Sequence, residues 1–171
     1  MKKTWKAWTK IGGGKELVTC LILALIWAPR SKFMYYLMVL AIDKVVVSYF
    51  KLFYSHPRPY MIDGNIKPIS CSKSFGNPSG HSSAASLFAI VVFCDIFHGS
   101  QLTGQKPSRF YNWFTYISVL IFMLFWAGSI PYTRFVMGVH SLDQIIYGTT
   151  LGVWAGLTMH FVVRDNIILH V

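Results

Sequence analysis

Asn77-Pro78-Ser79-Gly80-His81 runs straight into an apolar stretch at 82–97. A small-residue turn that opens a helix leaves backbone N–H groups without intrahelical partners, and Gly80 lets a bound group come close to them. With the Ser79 hydroxyl and the His81 imidazole beside those donors, the turn is suited to an anion. Taken alone it also reads as an ordinary loop-to-helix junction. The flanking sequence decides between the two.

Of the 171 residues, 54% are apolar and only 13% charged, which is the balance of a membrane protein rather than a soluble domain. The apolar residues fall in blocks at 17–28, 33–50, 82–97, 113–130 and 145–163. A helix needs roughly 20 residues to cross the hydrocarbon. The blocks therefore predict an all-α, polytopic bundle of about five transmembrane helices. The first is short unless residues 12–16 join it. Residues 1–16 form a basic amphipathic segment, with Trp5, Trp8 and Ile11 at helical spacing among lysines, and 17–171 a single membrane domain.

The net charge of +10 invites a nucleic-acid reading, but the Lys and Arg residues lie between apolar blocks instead of along one soluble face. The bilayer and an anionic substrate are the expected partners, and nucleic acid is not. Cys20, Cys71 and Cys94 are too scattered for a disulfide framework or a metal site.

Along the chain, Arg30-Ser31-Lys32 reads as a tight turn joining the first two helices into a hairpin. Asp43 lies two turns below Lys51 on one helix face, to support the lysine or to be neutralised by a neighbouring helix. Pro57, Pro59, Pro68 and Pro78 keep residues 51–78 from forming a long helix. Residues 131–139 are expected to be a turn. Gly148, Gly152 and Gly156 recur every four residues, a stripe on which another helix can pack closely.

If five helices alternate in direction, the 51–81 and 131–140 segments share one membrane face. Lys51 and Arg58, then Ser79, Gly80 and His81, then Arg134 and His140 would meet there. Three cations, two imidazoles and an anion-binding turn are what phosphoryl transfer asks for, since negative charge spreads over the equatorial oxygens of the transferring group. No carboxylate cage for Mg²⁺ or Ca²⁺ is apparent, so no metal or other cofactor is expected.

These residues resemble the signature of the type 2 phosphatidic acid phosphatase superfamily, which takes in lipid phosphate phosphatases, glucose-6-phosphatase and the vanadium haloperoxidases. Its three parts are K-x6-R-P, P-S-G-H and S-R-x5-H-x3-D. The chain has Lys51-Leu52-Phe53-Tyr54-Ser55-His56-Pro57-Arg58-Pro59, then Pro78-Ser79-Gly80-His81, then Thr133-Arg134 with His140 six residues beyond. The resemblance implies that His140 is the nucleophile, forming a phosphohistidine, and that His81 is the acid and then the base. Lys51, Arg58, Arg134, Ser79 and the Gly80 N–H would hold the phosphoryl oxygens.

The chain departs from that signature in three ways. Thr133 stands for serine. Gln144 stands where an aspartate would support His140, with Asp143 one place early; Asp143 would face about 100° away on a helix. By analogy with a carboxylate-to-amide change in a protease triad, losing the charge could cost about 10⁴ in rate. Glutamine here also resembles the glucose-6-phosphatase-like members, and Ser141-Leu142-Asp143-Gln144 fits a capping box. Finally, the family's first of six helices has no counterpart; either that helix is peripheral and a shortened member survives without it, or a protein partner supplies the missing surface. The reading is a metal-independent, integral multi-pass membrane phosphatase acting on a lipid phosphomonoester or diphosphate. It would sit in an endomembrane or, given the basic start, the mitochondrial inner membrane. The competing reading is an inactive scaffold subunit of a larger membrane complex.

Overall fold

The computed structural model describes Thr4 and residues 30–69, 71–98 and 112–170. The expected first span at 17–28 and the basic segment lie outside them. Among the described residues all regular secondary structure is helical, and four helical stretches are long and apolar enough to cross a membrane. It is an integral, multi-pass membrane protein.

Helix α1 (Arg30–Tyr54) buries Tyr35, Val39, Asp43 and Val47. That spacing of four places them on one face, and the next member of the row is Lys51, which the helix delivers to the end of the bundle. Arg30-Ser31-Lys32 forms the first turn of α1 and not the expected tight turn. The charge that ended the apolar run is matched by Asp95, whose carboxylate takes the Lys32 ammonium at 3.0 Å. At the other end Ser55 turns the chain out of the helix with φ 45°.

The connection from α1 contains one short helix, α2 (Pro59–Ile62), with proline in its first turn. Helix α3 (Gly80–Phe97) is the centre of the bundle and packs against α1, α4 and α5. From Ser82 to Leu87 every residue is buried. Small residues there admit close neighbours, and α5 (Leu142–Thr158) uses the opening. A Cβ on Gly148 would lie 2.5 Å from the Ser79 carbonyl oxygen, and one on Gly152 or Gly156 would press on Ser83 or Ile90. The glycine stripe is therefore the contact between α3 and α5, as its spacing implied.

Helix α4 (Trp113–Val136) runs through Pro131 and ends six residues later than the sequence suggests. Pro131 removes the N–H that would pair with the carbonyl four residues before it, yet the helix continues for five residues beyond, and there the Thr133 hydroxyl donates to the Ile130 carbonyl at 2.7 Å. Arg134 consequently projects from a helix instead of a loop. The turn that follows depends on Gly138, at φ 66°, a conformation that a side chain would strain. It carries the chain from α4 to α5 in five residues, with His140 near its end.

Helix α5 continues through a π-helical turn (Met159–Val163) into α6 (Arg164–His170). Away from the loops Tyr35, Val39, Leu87, Val91 and Met159 form an apolar core. Beyond it Asp95 gathers Lys32, the Tyr36 hydroxyl at 3.0 Å and the Arg164 guanidinium. One buried carboxylate thus joins three parts of the chain at the face opposite the loops, with a partner for each of its oxygens. Asp43 meets neither of the two expectations for it: its carboxylate accepts the Ser83 hydroxyl at 2.5 Å, a contact with α3 that involves no cation.

Candidate active site

The alternating helices bring the three separated motifs to one end of the bundle. α1 carries Lys51 in its last turn, α3 begins at Gly80, α4 ends after Arg134 and α5 begins after His140. The Lys51 Nζ lies 3.9 Å from where a Gly80 Cβ would be. Ser79 is buried, accepts a hydrogen bond from the Ser82 hydroxyl at 2.9 Å, and donates its own N–H to the Gln144 carbonyl at 3.0 Å. The anion-binding turn is thereby bonded to the start of the helix behind His140.

Arg58 is the most heavily engaged of the cations. Its Nε donates to the Ser74 carbonyl at 2.8 Å and Nη2 to the Ser74 hydroxyl at 3.1 Å; Nη1 reaches both the Val139 carbonyl and His140 Nε2 at 3.2 Å. The guanidinium fork is held on three edges while one N–H rests on the imidazole. Arg134 and Lys51 complete the cluster, and their charges reach His81 at the start of α3. Among the described residues no carboxylate forms an ion pair with Lys51 or Arg58. An end of the bundle with this excess of positive charge suits a multiply charged anion.

The hydrogen atoms on His140 follow from its neighbours. Gln144 Nε2 lies 2.8 Å from the Pro57 carbonyl oxygen, which only accepts, so the amide nitrogen must be on that side. Its oxygen then faces His140 Nδ1 at 3.2 Å, and Nδ1 must carry the proton. This leaves the Nε2 lone pair toward Arg58 and the cationic cluster. Gln144 is thus the residue behind the imidazole. Asp143 is not: it lies 61% exposed, 4.0 Å from His56 Nδ1, turned away by its one-residue offset on a helix that starts at Leu142.

Thr133 keeps the hydroxyl expected of that position, but spends it on the helix backbone. Sequence reasoning missed His56, Ser74, Gly76 and the Pro57 and Val139 carbonyls. The first motif counts His56 and Pro57 only as spacing, and Ser74 and Gly76 sit in a loop whose path no periodicity reveals.

Burial, and then the Arg58 and Arg134 charges, push the His140 imidazole from 6.5 down to about 3, against a smaller opposite pull from Gln144. It is therefore neutral at physiological pH, with its Nε2 lone pair accepting the Arg58 N–H. In the ligand-free protein its ring resonances are expected not to titrate between about pH 5 and 8 by NMR. Because the folded value lies below the unfolded one, the unfolded chain binds the proton first. The contribution of His140 to stability is complete above about pH 6.5 and falls as pH drops toward the folded value. A chemical-denaturation series from pH 7 to 4 is expected to show a shallower decline for His140→Ala.

A sequence profile of the PAP2 superfamily matches residues 32–168. The fold is similar to that of the first transmembrane PAP2-type phosphatidylglycerolphosphate phosphatase from Bacillus subtilis, with a TM-score of 0.75 at 19% identity, over 92% of this chain and 74% of that one. It is also similar to Aquifex aeolicus LpxE, with a TM-score of 0.71 at 20% identity, over 92% of this chain and 84% of that one. No curated sequence matches the chain.

Proposed function

The chain belongs to the PAP2 superfamily, and from that premise we propose that it hydrolyses a phosphomonoester or diphosphate on a membrane lipid through a phosphohistidine at His140. The observation that carries this reading is the neutral His140 ring, with its proton fixed on Nδ1 by Gln144 and its Nε2 turned to Arg58.

An arriving phosphoryl oxygen takes over the Arg58 N–H that now rests on Nε2, and the freed lone pair attacks phosphorus. The N–P bond forms as the bond to the leaving oxygen breaks, and His81 gives that oxygen a proton. The Nδ1 proton stays on the ring, held by the Gln144 amide oxygen. Water then attacks the phosphohistidine, its proton passes to His81, and inorganic phosphate leaves. Lys51, Arg58, Arg134 and the first N–H groups of α3 carry the charge on the transferring group in both steps.

A lipid substrate is favoured by the surroundings. Tyr49, Phe53 and Tyr54 are exposed around Lys51, and the Tyr54 and Tyr147 hydroxyls meet at 3.3 Å. Aromatic rings at that level mark a headgroup interface. The test is purified protein in vesicles carrying a phosphorus-32-labelled lipid phosphomonoester, with chelator present. Phosphate release together with an acid-labile, alkali-stable label on the protein is expected. Release without label overturns the covalent intermediate, and no release favours a scaffold.

A further inference from the structure

Gln144 stands where the family signature has aspartate, and its surroundings do not suit a carboxylate. It is 1% exposed. The amide oxygen faces His140 Nδ1 at 3.2 Å and the Ser141 N–H at 3.4 Å; the amide nitrogen faces the Pro57 carbonyl at 2.8 Å and His56 Nδ1 at 3.3 Å. Both acceptor sites and both donor sites of the amide are in use. The donor side grips the residue next to Arg58, and the acceptor side grips the ring that Arg58 touches.

Space for this longer side chain comes from Gly76. A Cβ there would sit 2.5 Å from both Nε2 and Oε1 of Gln144, while the Gly76 N–H is tied to the His56 carbonyl at 2.8 Å. Gly138 is the one glycine with positive φ among the described residues, so glycine at 76 answers to packing and not to backbone conformation.

We infer that Gln144 is a positioning residue whose amide sets the His140 tautomer and the Arg58 segment as one unit, so that neither aspartate nor glutamate replaces it. Aspartate is one methylene too short to span from His140 to Pro57. Glutamate has the length but sets an acceptor oxygen against the Pro57 carbonyl, which has no proton to offer. The carboxylate would favour the imidazolium that forms during attack, as in the family pattern, yet the segment that presents Arg58 would have lost its anchor.

The catalytic consequence rests on the phosphatase reading, so the experiment has two arms. In the first, kcat and KM for the vesicle substrate are measured for wild type, Q144D, Q144E and G76A. A tenfold or greater loss of kcat is expected in all three variants, with KM changed less. In the second, nitrogen-15 NMR of the ligand-free protein reads the His140 tautomer without any turnover. Nδ1–H is expected in wild type, with a mixed or shifted state in G76A, where the added Cβ displaces the Gln144 amide. Wild-type or better kcat in Q144D overturns the inference, as does an unchanged tautomer in G76A. If wild type is inactive while the tautomer shifts as described, the phosphatase reading fails and the positioning role of Gln144 is supported.

Discussion

Replacing His140 with alanine is expected to remove phosphate release almost completely, by about 10⁴ or more in kcat, as losing the nucleophile does in other enzymes with covalent intermediates. The fold should survive. Arg58 Nη1 keeps the Val139 carbonyl and its other donors keep Ser74, and the Gln144 oxygen keeps the Ser141 N–H. No buried donor or acceptor is stranded, so the main structural loss is the packing of one ring, a cost of a few kcal/mol at most. The checks are phosphate release, protein-bound label and a thermal melt in the same detergent. Activity within tenfold of wild type would overturn the assignment of His140 as nucleophile. A fully unfolded variant would instead mean that the ring holds the end of the bundle together, contrary to the hydrogen bonds described.

How much of this was legible beforehand depended on the range of the interactions. The apolar blocks gave the bundle, because membrane burial is written locally, residue by residue. Motif residues at the ends of those blocks had to share a face once the helices alternated, so Lys51, Arg58, Ser79, His81, Arg134 and His140 could be grouped without coordinates. Misreadings arose where a distant partner overrode a local signal. Lys32 looked like a turn residue until Asp95, 63 positions away, supplied its counter-charge. Asp43 looked like a partner for Lys51 or another charge, and is held by a serine hydroxyl on α3. Pro131 looked like a helix end, but the helix runs through it to Val136. Gln144 was legible as the residue behind His140. Its grip on Pro57, 87 positions earlier, was not.

Substituting lysine for Arg58 keeps the charge and removes the fork, and a loss of about 10²–10³ in kcat is expected, the usual effect of deleting one donor to developing negative charge. Arg58 is 3% exposed, and its fork reaches the Ser74 carbonyl and hydroxyl, the Val139 carbonyl and His140 Nε2 at once. A lysine ammonium has three donors on a flexible stem and cannot reach groups lying on three sides. At least one buried acceptor then goes without a partner, at about 1–3 kcal/mol, so the melting temperature should fall as well. The two effects separate experimentally, because kcat is measured on the folded fraction well below the melt. If Arg58 served only to keep the loop in place, conditions that restore the fold would restore turnover. If it also receives the phosphoryl oxygen, turnover stays low in fully folded protein and the competitive affinity for inorganic phosphate falls with it. Wild-type kcat in folded Arg58→Lys would show that charge alone suffices, and the hand-over of the Arg58 N–H from His140 to substrate would have to be abandoned.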